Sequence, residues 1–181
     1  MKLRVGFIAT GPKQRAEEKG GGFDIGQIHA FRWKQLTTIK WTAACDIKNE
    51  NLEAFADDYG VRGRYTDYRE MLKLEKLDIV DICTWPSLHY EMTKAAIAVG
   101  VKGIYLEKPM CLSLREAKDM VASCRANGVK LIVSHQRRYE PDFIKTKEWI
   151  QAGKIGKVLE INAVFNGEDA ACRRESRLQL S

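Results

Sequence analysis

Short apolar, β-branched runs recur along the 181 residues, at 3 to 9, 41 to 46, 77 to 84, 103 to 107 and 129 to 134, and helix-period segments separate them. This alternation constrains the fold most, because strands joined through helices lie parallel in one sheet. The spacing predicts helices over Ile25 to Gln35, Asn49 to Tyr59, Tyr68 to Leu72, Leu88 to Val99 and Leu114 to Asn127. Gly60, Gly100 and Gly128 follow three of them, where a left-handed residue closes the last turn. Continuous hydrophobicity in IVDIC and LIVS suits strands covered on both faces. The expected class is α/β, a doubly wound parallel sheet.

A different style follows. Pro141 opens a helix to about Ala152, GKIGK turns the chain, and VLEINAVF alternates like a half-buried strand. The expected organisation is a nucleotide-binding domain over 1–135. Residues 136–181 would then be a connecting helix and first strand beginning an incomplete second α+β domain. The last residues, NGEDAACRRESRLQLS, show neither period.

With 45% hydrophobic and 30% charged residues, the composition suits a folded cytoplasmic protein. The net charge of +6 comes from interleaved charges without a basic stripe, which argues against nucleic acid and for an anionic small ligand. The apolar run before Gly11 is too short for a signal peptide or membrane span. Cys45, Cys83, Cys111, Cys124 and Cys172 form no CxxC pair, so reduced thiols are expected and no metal site.

A dinucleotide site needs a tight strand-to-helix turn in which backbone NH groups and a helix N-terminus approach the pyrophosphate. Here the first strand ends in Ala9-Thr10-Gly11, and the third glycine of such a turn appears at Gly26-Gln27-Ile28, beyond the insertion PKQRAEEKGGGFDI. Ala9 stands where a first glycine is usual, so this Rossmann signal is weak by itself. Asp46 strengthens it, closing the second strand about 20 residues past Gly26, where an acid meets a ribose diol. A carboxylate there favours NAD; Lys48 nearby keeps NADP open. The alternative is that Asp46 only caps the helix from Asn49.

The run ending in Thr84 continues into Trp85-Pro86-Ser87-Leu88-His89, at the edge where open α/β sheets bind ligands. His89 alone reads more readily as a solvated helix-start residue, and Trp85 as a lid over apolar side chains. The next run leads into Glu107-Lys108-Pro109. Lys108, held by the following proline, can bond a substrate hydroxyl as hydride leaves its carbon, and can manage the proton if burial lowers its pKa. Glu107 can orient that ammonium. A surface ion pair at a strand end is the competing reading.

The ordered set of Gly26 and His29, Asp46, Thr84-Trp85-Pro86 with His89, Tyr105-Leu106-Glu107-Lys108-Pro109 and Gln136-Arg137-Arg138-Tyr139 resembles the Gfo/Idh/MocA family over about residues 1 to 165. The resemblance implies NAD(P)-dependent oxidation or reduction at a hydroxyl or carbonyl carbon of a sugar or polyol. It implies that Lys108 supports hydride transfer, that the Pro86 to His89 loop lies against the cofactor, and that Gln136 and Arg137 reach the nicotinamide side. The family's second domain supplies a large sheet and an Asp-x-x-x-His pair, and a complete one would favour a homo-oligomer.

Two departures stand out: the altered phosphate turn, and the end of the chain after one strand of that second sheet. Hydride transfer needs walls that exclude water. Three readings follow: an oxidoreductase incomplete as this chain, a stand-alone nucleotide-binding module, and a truncated product with neither activity.

Overall fold

The computed structural model describes residues 2–12 and 25–164, and the chain divides into two compact units, Met1–His135 and Gln136–Ser181. Most of the insertion between Pro12 and Ile25, Cys172 and the polar tail lie outside the described residues.

The first unit alternates strand and helix: β1 (Leu3–Ile8), α1 (Ile25–Trp33), β2 (Ile39–Cys45), α2 (Asn49–Tyr59), β3 (Gly63–Tyr65), α3 (Tyr68–Leu74), β4 (Ile79–Ile82), α4 (Pro86–Ala98), β5 (Gly103–Leu106), α5 (Leu114–Ala126) and β6 (Lys130–Val133). All strand pairs are parallel, in the order β3-β2-β1-β4-β5-β6. The order reverses between β1 and β4, which opens a crevice at their carboxyl ends.

Period-2 alternation on these strands feeds two cores. Val5 and Phe7 of β1 pack with Ala44, Leu52 and Phe55 on one face, while Ile8 joins Val80, Ile82, Leu106 and Met120 on the other. On the first face Trp41 stacks between Phe7 and Tyr59, with ring centroids 4.8 and 4.7 Å away. Burying side chains of this size stabilises by about 1.5–3 kcal/mol each.

Local signals agree with the helix bounds. Asp67 accepts a bond from Arg69 N at 2.8 Å at the start of α3, and Ser113 from Glu116 N at 3.2 Å at the start of α5. Gly60 closes α2 at φ 65°, a conformation that costs other L residues steric strain.

Two expectations change. β3 was not expected: Gly63-Arg64-Tyr65 has no apolar alternation and is a strand because it pairs with Ala43 to Cys45. Conversely, 158–164 of VLEINAVF carry no strand, and Leu159, Ile161 and Val164 are exposed. Alternation marks a segment able to pair, but a strand also needs a neighbour for its backbone groups. Otherwise the second unit has a short 3-10 helix, Gln136–Tyr139, and α6 (Pro141–Gln151), which Pro141 opens. No helix among the described residues is long and apolar enough to cross a membrane.

Candidate functional site

The carboxyl ends of β1, β2, β4, β5 and β6 carry the polar residues singled out in the first unit. At the end of β1 the chain turns through Ala9 at φ 66° and Gly11 at φ 71°. Ala9 therefore adopts the left-handed conformation a glycine would take there, at some steric cost. A Cβ on Gly26 would lie 2.3 Å from Ala9 O and 2.7 Å from Thr10 O, so the start of α1 rests directly on the turn. The separated glycine signals thus converge in space. Gln27 reaches back to donate from Nε2 to Gly11 O at 3.3 Å, while Ile28 is exposed. Small residues bringing a helix start onto a strand end are what a pyrophosphate requires, so these residues fit a dinucleotide.

Asp46 is buried and tied to that turn. Its Oδ2 accepts from Thr10 Oγ1 at 3.1 Å and Gly11 N at 3.0 Å; its Oδ1 accepts from Lys48 N at 2.9 Å. Lys48, not Asp46, is the N-cap residue of α2 and makes no side-chain cap bond. Asp46 therefore braces the phosphate turn, a job beyond either sequence reading.

At the end of β4, Thr84 donates from Oγ1 to Met92 Sδ at 3.4 Å, and Pro86 starts α4. Trp85 is 64% exposed, too open to be a lid over a core. His89 corrects the expectation of a solvated helix start, because it is fully buried. Its Nδ1 lies 3.0 Å from Pro109 O and 3.2 Å from Met110 O, and its Nε2 2.9 Å from Thr84 O. One imidazole thereby ties the Thr84–Pro86 loop to the segment after Lys108. The Pro109 and Met110 carbonyls lie 20 and 21 residues away in sequence, beyond the reach of local pattern.

At the end of β5, Glu107 is buried and Lys108 exposed, with Lys108 Nζ 3.7 Å from Glu107 Oε1. Pro109 is exposed and follows a cis peptide bond. Gln136 and Arg137 lie in the second unit's 3-10 helix, both exposed.

Sequence reading gave Glu107 the task of orienting Lys108 but no role to its companions in the polar cluster beneath this edge. His29 of α1, Asp81 of β4, Cys83, Glu107 and Ser134 are all buried. His29 Nδ1 is 3.0 and 3.2 Å from the Asp81 oxygens, and Nε2 is 3.4 Å from Glu107 Oε2. Asp81 also accepts from Trp33 Nε1 at 2.7 Å and from Cys83 Sγ at 3.2 Å. Burial alone would lower the His29 pKa, but the contacts with Asp81 and Glu107 outweigh it and raise it to about 9. Burial would likewise raise Glu107, but bonds from His29, Ser134 and the Lys108 backbone hold it below its usual range. Burial, then Asp81, pushes the Cys83 thiol well up. His29, Asp81 and Cys83 place three potential metal-ligand atoms within 4.8 Å of one another, and here they serve as each other's hydrogen-bond partners. The sequence signal was Asp81 itself, a carboxylate inside an apolar strand that must find a donor.

Residues 20–135 match the family model described as an oxidoreductase family with an NAD-binding Rossmann fold, Gfo/Idh/MocA. Among curated relatives, a D-apiose dehydrogenase of Paraburkholderia graminis is 34% identical over 162 residues, covering 86% of this chain and 42% of its own length. The crystal structure of myo-inositol 2-dehydrogenase from Lactobacillus plantarum superposes with TM-score 0.75 at 26% identity, over 87% of this chain and 43% of that one. An oxidoreductase from Agrobacterium radiobacter, solved with NAD+, L-tartaric acid and magnesium, gives TM-score 0.73 at 27% identity, over 87% and 42%. The chain thus spans less than half the length of each. With its sheet order, converged glycine turn and matched residues, the chain belongs to the Gfo/Idh/MocA oxidoreductase family through that family's NAD-binding Rossmann fold.

Proposed function

We propose that residues 1–135 are the dinucleotide-binding domain of an oxidoreductase that moves a hydride between nicotinamide and a hydroxyl or carbonyl carbon of a sugar or polyol. Residues 136–181 would begin its substrate domain. The observation that carries the reading is the meeting of the glycine turn, Asp46 and the Glu107–Lys108 pair at one edge of a sheet whose order reverses there. Sugar and polyol dehydrogenases among the relatives support the substrate class.

When bound, the nicotinamide supplies the hydride donor or acceptor. The protein's part is to bind and orient. Backbone NH groups of Thr10 and of the α1 start at Gly26, Gln27 and Ile28 would face the pyrophosphate, and Gly11, its N–H held by Asp46, shapes the turn that lets it approach. Asp46, whose oxygens accept from Thr10, Gly11, Lys48 and Asn51, would take the ribose diol by exchanging its 3.5 Å bond from Asn51 Nδ2. Thr84, Trp85 and Pro86 wall the cofactor, and His89 holds that wall against Pro109. Lys108 donates to the substrate oxygen and steadies its proton as the carbon changes oxidation state, with Glu107 aiming the ammonium.

Titration of the chain with NADH and NADPH, followed by tryptophan fluorescence, tests binding apart from turnover. Asp46→Ala is expected to weaken NADH more than NADPH; equal weakening would leave Asp46 only its bracing role. In the catalytically complete protein, Lys108→Ala should cut turnover far more than NAD affinity, and equal losses would remove Lys108 from the chemistry.

A further inference from the structure

His29 is a buried residue of the phosphate-turn helix whose ring reaches the strand end bearing Lys108. It lies one turn beyond Gly26 on α1, and its ring sits between two buried carboxylates, Asp81 on the Nδ1 side and Glu107 on the Nε2 side. Tyr105 covers it, with ring centroids 4.9 Å apart, and Ser134 Oγ stands 3.4 Å from Nε2. A neutral imidazole can donate to only one of two opposed carboxylates and would aim a lone pair at the other; the imidazolium donates to both. The result is an alternating row running outward from the core: Asp81, His29, Glu107, Lys108.

Among the described residues no hydrogen bond of ordinary length reaches Glu107 Oε2, and the His29 ring at 3.4 Å is a charge that faces it. The other oxygen, Oε1, faces Lys108 Nζ. We propose that His29 is a positioning residue for Lys108: by holding one oxygen of the Glu107 carboxylate it leaves the other turned to the lysine ammonium, and so joins the phosphate turn to the reacting end of the site. The proposal rests on the reading that Lys108 serves hydride transfer, and adds a support for it from inside the sheet. Without the imidazolium, a carboxylate this buried loses its charge or swings away, and Lys108 loses its partner.

The test is a double-mutant cycle on the 181-residue chain with His29→Gln and Glu107→Gln. Its readout is the rate at which acetic anhydride acetylates Lys108 relative to exposed Lys73, by mass spectrometry at pH 8. Each single variant should speed Lys108 labelling by about threefold or more, and the double variant should go no further than Glu107→Gln alone. Unchanged or slower labelling in His29→Gln overturns the proposal. So do effects that multiply, because a merely structural histidine would loosen the end of β5 whether or not Glu107 carries charge. If His29→Gln does not fold, nitrogen-15 NMR of histidine-labelled chain replaces it. Both His29 ring nitrogens should be protonated at pH 7.5, with a lower midpoint in Glu107→Gln; a neutral ring, or a midpoint indifferent to that change, overturns the proposal. Neither readout needs turnover, so a Lys108 without a part in hydride transfer would leave these results standing.

Discussion

The two edges of the sheet in the first unit are built from similar residues by different means. At the amino edge, charges stay near water: Arg4 pairs with Glu75 at 3.1 Å and Lys102 with Asp78 at 2.7 Å, with Lys102 65% exposed. At the carboxyl edge, Asp46, Asp81, Glu107, His29 and His89 are at most 7% exposed and bonded through the core. Surface pairs contribute little and are easily lost; buried charges are costly to hold and costlier to leave unpartnered. The amino edge also carries a cleft of about 530 Å³, between Lys2, Lys40, Trp41 and Arg62 among others. The buried polar groups, the converged turn and the switch in strand order all mark the carboxyl edge.

The contrast breaks most readily at Asp81. Asp81→Leu removes the partner of a buried imidazolium and should destabilise by about 3–5 kcal/mol in urea unfolding. Next comes pH. Because His29 is raised from 6.5 to about 9 on folding, its stabilisation is full below pH 6.5 and lost as pH rises through 9. Thermal melts between pH 6.5 and 9 should fall more steeply for the wild type than for His29→Gln; parallel curves would mean the ring is not an imidazolium. Gly26→Ala places a Cβ against two backbone oxygens, and overpacking of this kind costs about 1–3 kcal/mol. At the other edge, Arg4→Ala should change stability by only about 0–1 kcal/mol. An effect of similar size but opposite sign is expected from Ala9→Gly, which relieves the left-handed strain at φ 66° and should stabilise by about 0.5–1 kcal/mol, a shift of a few degrees in melting temperature.

The comparison also explains what was legible in the sequence. Local chemistry was: Asn49 to Tyr59 reads as a helix and is one, since Gly60 closes it with the backbone bond its position allows. That Asp46, Glu107 and Lys108 follow strand ends was legible too, because spacing puts them there. Partnership across the sheet was not. His29 and Asp81 are 52 residues apart, and neither local pattern names the other. His89 looked like a surface residue because the carbonyls it meets belong to the segment after β5. The segment 158–164 shows the converse, an alternation with no pairing partner among the described residues.

The central claim is that the carboxyl edge of this sheet binds a dinucleotide, and titration of the chain with NADH reads it most directly. Saturable binding displaced by NAD+, weakened about tenfold or more by Gly26→Ala and unchanged by Arg4→Ala, is the predicted result. Absence of saturable binding, or equal loss from both variants, would contradict it.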